Sequence, residues 1–425
     1  MSAHPVIASS RSRTPSRTRR LGAGLITGAA DDDPSGIATY SQAGALWGYT
    51  TLWTVVLTLP FMIGIQMICA RVGRVTGRGL AANMRGHLPP TFVFGLVVLL
   101  LIANVINLAA DIGAMGAAVS LLVGGQAWVY ASVLVALSLG LEVFLPFGRY
   151  APILKWLTVS LLAYVATAAI VDVPWKMALT EPWPAWPWSA SYFVVVVGIF
   201  GTTISPYLFF WQASEEVEEE EQSLTESPLI DAPEQAAASF ERIRFDTVFG
   251  MTYSNFVAFF IIVTASAVLH SHGITDIRAP ADAARALEPL AGRAASLIFA
   301  LGIVGTGLLA IPVLAGSAAY AVSEAVNVRS SLSEKPGGAK VFYRIIVGAM
   351  VLGVVVSCLP LDPLRLLFWA AVINGVIAVP LMIAIMWTAS HPGVMGSFTV
   401  KGWLRWLGWG ATAVMGLAVL GMCVA

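Results

Sequence analysis

Two short polar segments stand inside otherwise apolar stretches of this chain, and both contain residue types that bind cations. The first reads Ala29-Ala30-Asp31-Asp32-Asp33-Pro34-Ser35-Gly36, and the second reads Gly201-Thr202-Thr203-Ile204-Ser205-Pro206-Tyr207. Each contains a proline, which has no backbone N–H and leaves a carbonyl oxygen of the preceding turn without its helical partner. Freed carbonyls near Ala30 and Thr202, together with a carboxylate, are oxygen ligands suited to a metal ion.

Within the first segment we predict that Asp33 is the charged ligand of a cation. Successive helical residues are about 100° apart, so three neighbouring aspartates cannot all face one ion. Asp33 precedes Pro34, where unwinding lets its side chain turn toward the second segment. A structural role as a helix cap is the alternative for Asp33. Asp31 and Asp32 are expected to line the aqueous approach, with one of them held neutral as an alternative.

The composition places these segments in a membrane. Of the 425 residues, 57% are apolar and 11% are charged, and the mean hydropathy is +0.79. Soluble domains carry about 25% charged residues, so this chain cannot coat a water-soluble surface. Lys and Arg (24) balance Asp and Glu (24), which indicates no nucleic-acid partner.

Apolar runs long enough to cross a bilayer recur along the chain. We predict eleven spans, at 21–47, 51–71, 91–121, 127–147, 151–171, 191–213, 247–269, 294–325, 342–360, 366–389 and 404–425. The two polar segments interrupt spans one and six, at corresponding positions of two five-helix halves. That pattern is typical of secondary transporters built from inverted repeats. The predicted fold is therefore an all-α integral membrane protein of the leucine-transporter type with broken helices 1 and 6.

The charges predict the domain limits and the orientation. Residues 1–20 form a basic tail, 21–171 the first repeat, 191–389 the second and 404–425 an extra helix. With the tail inside, the inner loops collect 19 Lys and Arg against 5 outside, which favours a cytoplasmic amino terminus. An organellar transit peptide is the alternative interpretation of the tail.

Two further charged features lie between spans. The run Glu215-Glu216-Val217-Glu218-Glu219-Glu220-Glu221 predicts a solvated cytoplasmic loop, extending over 214–245, because like charges repel and stay hydrated. A cation-attracting mouth is the alternative. His270-Ser271-His272 has the residue types for a surface metal site, but a solvated loop explains it better.

The first break also carries a family resemblance. Asp33-Pro34-Ser35-Gly36-Ile37-Ala38-Thr39, followed by Gln42-Ala43-Gly44-Ala45, resembles the Nramp divalent-metal transporter signature D-P-G-N-x-A-T and Q-A-G-A. The stretch from Leu52 to Ala81 is similar to the family's second helix and the loop after it. The resemblance implies a metal transporter in a bacterial cytoplasmic membrane, without a resident cofactor and without enzymatic activity.

Departures from the family pattern affect which metal ion the site is expected to bind. Gly36 stands where the family has an asparagine ligand, and Ser205-Pro206-Tyr207 stands where it has M-P-H. Losing the thioether removes a soft ligand that favours transition metals. The predicted site is all oxygen: the Asp33 carboxylate, carbonyls near Ala30 and Thr202, and the Ser205 or Thr203 hydroxyl. Such a site suits Mg²⁺ with several bound waters, as in the Nramp-related magnesium transporters, and Mn²⁺ stays open.

A further departure concerns protons. Proton-coupled members carry D-L-A-E in the third helix, whereas this chain reads Asn107-Leu108-Ala109-Ala110, with Asp111 one position later. Together with Tyr207 in place of the family histidine, this favours uptake driven by membrane potential alone. Asp111 as a displaced proton carrier stays open.

Other functions fit the sequence less well. A proton-coupled Mn²⁺ or Fe²⁺ transporter is the first alternative, and a sodium-coupled carrier of small organic solutes on the same fold is the second. A carboxylate at Asp33 would repel the carboxylate of an organic substrate. Asn374 interrupts span ten and is expected either to face the pathway or to make an interhelical hydrogen bond.

Overall fold

The computed structural model describes residues 23–144, 156, 159–180, 189–277, 280–332 and 337–424. Every regular element among them is helical. The longer helices are α1 Ala23–Asp31, α2 Pro34–Trp47, α3 Leu52–Thr76, α4 Leu80–Arg85, α5 Pro90–Val123, α6 Ala127–Phe144, α7 Leu162–Ile170, α8 Ala190–Thr203, α9 Pro206–Glu221, α10 Ala236–Val268, α11 Ala295–Ala325, α12 Lys340–Ser357, α13 Pro363–Ser390 and α14 Gly402–Val424. The predicted tail, residues 1–20, lies outside the described residues.

These helices confirm the predicted all-helical membrane architecture. In the described part of the chain, nine helical runs are long and apolar enough to span a bilayer. One of them, residues 34–76, holds parts of two predicted spans, which the 3-10 turn Gly48–Thr51 separates. The fifth predicted span coincides with the short apolar helix Val159–Ile170, and the remainder of that span falls mostly outside the described residues.

Both predicted breaks are present, and proline begins the helix after each one. Pro34 is the first residue of α2 and Pro206 is the first residue of α9. Proline suits this position because the first N–H groups of a helix have no intrahelical acceptor. The chain is extended at Asp33 (φ −68°, ψ 170°) and at Ser205 (φ −75°, ψ 126°), so each break separates two half-helices.

Glycines let the broken helices approach their neighbours closely. A Cβ atom on Gly28 of α1 would lie 2.4 Å from the backbone of Gly250 on α10. A Cβ atom on Gly201 of α8 would lie 2.0 Å from the carbonyl oxygen of Ala371 and 2.4 Å from the Gly375 nitrogen on α13. Small residues permit this backbone contact in a bilayer, and here they fix both breaks against long helices.

The prediction of a solvated acidic loop is wrong for residues 215–221. They continue α9, and α10 already begins at Ala236, so the loop between the helices is much shorter than 214–245. The side chains of Glu216, Glu218 and Glu220 are buried. Each has a partner from elsewhere in the chain, which removes the repulsion on which the prediction rested.

Those partners come from several helices. Arg242 contacts Glu216 at 2.6 Å and Glu219 at 2.8 Å, and the fully buried Arg74 contacts Glu220 at 2.9 Å. The carboxylate of Glu218 accepts hydrogen bonds from the Tyr320 hydroxyl and from the Leu332 nitrogen.

Candidate metal centre

The two breaks leave two carbonyl oxygens without helical donors, and a hydroxyl serves each of them. The Ala30 carbonyl would bond to residue 34 and the Thr202 carbonyl to residue 206, but both positions are proline. The Tyr207 hydroxyl donates to Ala30 O at 3.0 Å, and Ser205 Oγ donates to Thr202 O at 2.7 Å. The carbonyls predicted to be freed are therefore present at both breaks, each held by one replaceable hydrogen bond.

The Asp33 carboxylate has both a structural and a site-facing oxygen. Oδ1 accepts from the Gly36 nitrogen at 2.8 Å and from Ser35 Oγ at 2.6 Å, which caps α2. Oδ2 accepts from Asn107 Nδ2 at 3.0 Å and lies 3.2 Å from the Tyr207 hydroxyl, whose single proton can serve either this oxygen or Ala30 O. The cap and the ligand interpretations of Asp33 are thus compatible, since they use different oxygens.

A chain of amides connects Asp33 to two further helices. Asn107 Nδ2 also lies 3.2 Å from Asp111 Oδ2, and Asn374 Nδ2 donates to Asn107 Oδ1 at 3.2 Å. All of these side chains are buried. The structure therefore brings Asp111 and Asn374 into the network of Asp33, although Asp111 does not occupy the family's acidic position.

Asp31 and Asp32 form a second acidic pair on the other side of the break. Ser254 Oγ of α10 lies 2.6 Å from Asp31 Oδ2 and 3.1 Å from Asp32 Oδ1. Both carboxylates are at most 1% exposed. They therefore belong to the buried interior of this structure, whereas the sequence suggested that they line a water-filled approach.

Gly36 lies against residues of the second break. A Cβ atom on Gly36 would be 3.2 Å from Thr202 Oγ1 and 3.4 Å from a ring carbon of Tyr40. The Cβ atom of an asparagine here would need the Thr202 hydroxyl to move by a few tenths of an ångström, whereas its approach to Tyr40 is an ordinary contact. Thr202 and Tyr40 therefore border the space in which the family's amide side chain would lie.

The structure does not bring the Thr203 hydroxyl to the site. Thr203 Oγ1 donates to Ile199 O at 2.8 Å, within its own helix. A threonine hydroxyl commonly bonds to the carbonyl one turn earlier in a helix, which directs it away from the break. Thr203 is therefore a poorer ligand candidate than Ser205 or Thr202.

The surroundings of the broken first helix differ at its two ends. A cavity of about 250 Å³ lies at the carboxyl end of α2, and its lining includes Ala38, one turn from Pro34. At the other end, the Ala23 nitrogen donates to Glu219 at 3.1 Å and the Gly24 nitrogen donates to Asp246 at 2.6 Å. The beginning of α1 is thus fastened to α9 and α10 at the predicted cytoplasmic end.

The side chains and carbonyl groups at the two breaks determine which ligands a metal ion would have here. Among the described residues, no three His, Cys, Asp or Glu side chains are arranged to hold a metal ion. An ion at the breaks would instead combine the Asp33 carboxylate with carbonyl, hydroxyl and water oxygens. His270 and His272 lie on a 3-10 turn, and their rings contact the carbonyls of Ala45 and Val268, which agrees with the loop interpretation.

A match to a family model decides the family. The model described as natural resistance-associated macrophage protein-like, Nramp, matches residues 24–425. The chain belongs to the Nramp family. Membership confirms the resemblance seen in the first helix and extends it to nearly the whole chain.

Bacterial members of the Nramp family match over most of their length. A protein of Klebsiella pneumoniae (strain 342) named divalent metal cation transporter MntH is 29% identical over 417 residues, covering 96% of this chain and 94% of the relative. A protein of the same name from Yersinia pestis (strain Pestoides F) is 31% identical over 308 residues, covering 70% of this chain and 71% of the relative. The matched relatives are transporters, in agreement with the prediction that this chain is not an enzyme.

A solved structure of similar fold confirms the architecture. The manganese transporter of Eremococcus coleocola superposes with a TM-score of 0.71 at 17% identity, covering 96% of this chain and 88% of that chain. This likeness supports the predicted leucine-transporter type of fold with broken first and sixth helices.

The structure places two residues beside the first break that the sequence did not single out, Ser254 and Tyr40. Ser254 is followed by Asn255 in the middle of an apolar run, a polar pair that was the available signal. Tyr40 lies two turns after Asp33 on α2, and nothing in its sequence context separates it from a core tyrosine.

Proposed function

We propose that this protein moves divalent metal cations across the membrane by alternating access, with Mg²⁺ preferred and Mn²⁺ accepted. The observation that carries the proposal is the meeting of the two breaks at Asp33. The Tyr207 hydroxyl, from the helix after the second break, lies 3.0 Å from Ala30 O, which proline has freed in the first break, and 3.2 Å from the Asp33 carboxylate. The names of the bacterial relatives support divalent cations as the cargo.

The chemistry of the donors supports the preference for a hard cation. Each donor atom at the breaks is an oxygen, and Ser205 occupies the position of the family's thioether. Mg²⁺ is usually bound through one or two carboxylates while it keeps several waters. A soft ligand would favour Mn²⁺ or Cd²⁺ over Mg²⁺ more strongly than this oxygen set does.

Energy for uptake is available from the membrane potential. A divalent cation that moves inward through 100 mV gains about 4.6 kcal/mol, at roughly 2.3 kcal/mol per charge. We propose that this gradient suffices and that proton movement is not obligatory. The proton-coupled alternative is favoured by one observation, the link from Asp33 through Asn107 to Asp111.

Uptake into proteoliposomes at fixed membrane potential tests the proposal. We expect Mg²⁺ and Mn²⁺ to enter and to compete with each other, with Mg²⁺ entering at the lower concentration. The control is the same protein with Asp33→Asn in matched vesicles. Absence of divalent uptake by the folded protein, or entry of an organic cation with Na⁺ instead, would refute the proposed cargo.

A further inference from the structure

The carboxylates of the first break, together with Asp111 of α5, could carry more negative charge than one divalent ion neutralises. Asp31, Asp32, Asp33 and Asp111 are each at most 1% exposed. In the part of the chain that the structure describes, Arg74 is the only buried cationic residue, and it pairs with Glu220 at the predicted cytoplasmic end. Buried carboxylates inside a membrane require compensation by a cation or a proton. After one divalent ion has bound beside Asp33 and Asp111, the carboxylates of Asp31 and Asp32 still lack a compensating charge.

Those two carboxylates share a single donor. Ser254 Oγ is within hydrogen-bond distance of both Asp31 Oδ2 and Asp32 Oδ1. A serine hydroxyl has one proton, so it satisfies only one of these oxygens at a time. The remaining oxygens, Asp31 Oδ1 and Asp32 Oδ2, have no hydrogen-bond partner among the described residues. Ser254 of α10 therefore contacts both carboxylates, but two of their four oxygens lack a hydrogen-bond donor.

Two further buried hydroxyls accompany the acidic pair. Neither the Tyr40 hydroxyl nor the Thr202 hydroxyl has a hydrogen-bond partner of good geometry among the described residues, and both side chains are at most 1% exposed. A Cβ atom built on Gly36 would lie 3.2 Å from Thr202 Oγ1, 3.4 Å from the Tyr40 ring and 3.4 Å from the Asp31 carbonyl oxygen. Oxygen lone pairs of neutral groups are therefore available next to the backbone of Asp31.

We propose that Asp31, Asp32 and Ser254 form a second binding site for a hard divalent cation between α1 and α10. Both carboxylates would contact the ion or its waters, and Ser254 would orient them as a positioning residue. Two carboxylates balance the two charges of Mg²⁺, whereas Na⁺ would leave one of them uncompensated. The donor atoms are oxygens only, which Mg²⁺ prefers.

A second binding site has a consequence for transport. This inference rests on the proposed function, because the same transported ion would occupy both sites. Asp31 and Asp32 are the last residues before Asp33 on the α1 side of the break, toward the end that is predicted to be cytoplasmic. A transported ion must bind strongly enough to enter and weakly enough to leave, and repulsion between ions at adjacent sites promotes release.

Titration calorimetry with MgCl₂ on the full-length protein in nanodiscs tests the second site. We expect two binding events per chain in the wild type. The double variant Asp31→Asn, Asp32→Asn should lose one event and keep the one that depends on Asp33. Asp33→Asn should show the opposite pattern. The thermal unfolding temperature of each variant checks that it is folded.

Serine variants supply a test that leaves the carboxylates in place. Ser254→Ala should weaken the second event by about 10- to 100-fold, the usual effect of removing a group that orients metal ligands. Ser254→Thr keeps the hydroxyl and should restore it. Ser266→Ala is the matched control, because Ser266 Oγ on the same helix lies 2.7 Å from Ile262 O and 3.4 Å from Gly44 O, which are backbone carbonyls and not carboxylates.

The outcomes separate the two proposals. A single Mg²⁺ event that depends on Asp33 alone would overturn the second site while the proposed cargo stands. Loss of both events in Asp33→Asn would also overturn it, since the sites would then be one. No Mg²⁺ binding by the folded wild type would overturn the proposed function itself.

Discussion

The side-chain amide of Asn107 lies 3.0 Å from the Asp33 carboxylate, and the same nitrogen lies 3.2 Å from the Asp111 carboxylate. On a helix, residue 111 is about 40° around the axis from residue 107, at about 100° per residue. Moving the acid one position along α5 therefore keeps it on the face that Asn107 presents to the site. Asp111 therefore faces the network of Asp33 although it stands one position beyond the family's acidic residue, and it has to be included in every test of coupling.

The first prediction separates the two roles of Asp33. Asp33→Asn keeps an oxygen for the Gly36 nitrogen but removes the negative charge, whereas Asp33→Ala removes both. We expect both variants to lose Mg²⁺ uptake. Only the alanine variant should lose the helix cap, at a cost of about 1 kcal/mol in the free energy of unfolding. Uptake by Asp33→Asn at the wild-type rate would show that the charge at this position does not bind the ion.

A second prediction concerns Ser205, whose hydroxyl holds the Thr202 carbonyl. Ser205→Met should add a thioether at the second break and shift relative affinity toward Mn²⁺ and Cd²⁺ by roughly tenfold over Mg²⁺, because sulfur is a soft ligand. Competition binding measures the ratio. Ser205→Ala is the control, since it frees the same carbonyl without adding sulfur. An equal shift in both variants would mean that the thioether does not reach the ion.

Much of the fold was predictable because the signals are local. Span positions follow from apolar length, and the breaks follow from Pro34 and Pro206 within apolar runs. Asp33 could be chosen because it directly precedes proline. Each of these inferences uses residues that are close together in the sequence.

The parts that sequence reasoning missed depend on distant partners. Ser254 bonds to Asp31 across 223 positions, and Arg74 bonds to Glu220 across 146 positions. A run of glutamates indicates a solvated loop only when no cationic side chain from another helix forms ion pairs with it. Arg242 forms such pairs here, and nothing in the sequence around residue 242 indicates that contact.

The third prediction uses that ion pair. Glu216 and Glu219 both contact Arg242, but the Glu216 side chain is fully buried whereas the Glu219 side chain is 34% exposed. Exposed ion pairs contribute about 0 to 1 kcal/mol, and disrupting a buried pair costs more. Glu216→Gln should therefore lower the thermal unfolding temperature in detergent clearly more than Glu219→Gln. Equal losses would indicate that burial does not decide the strength of these contacts.

The last prediction is that metal entry does not require protons. Tyr207 and Asn107 replace the family's histidine and first acidic residue, and neither can shuttle a proton near neutral pH. Mg²⁺ entry should then generate an inward current that depends on membrane potential and should not acidify the vesicle interior. A pH-sensitive dye trapped in proteoliposomes measures this, with a proton-coupled Nramp protein as the positive control. Because Asn107 connects Asp111 to Asp33, Asp111→Asn is the decisive comparison. Internal acidification that depends on metal in the wild type and disappears in Asp111→Asn would establish the coupled alternative, with Asp111 as the proton carrier.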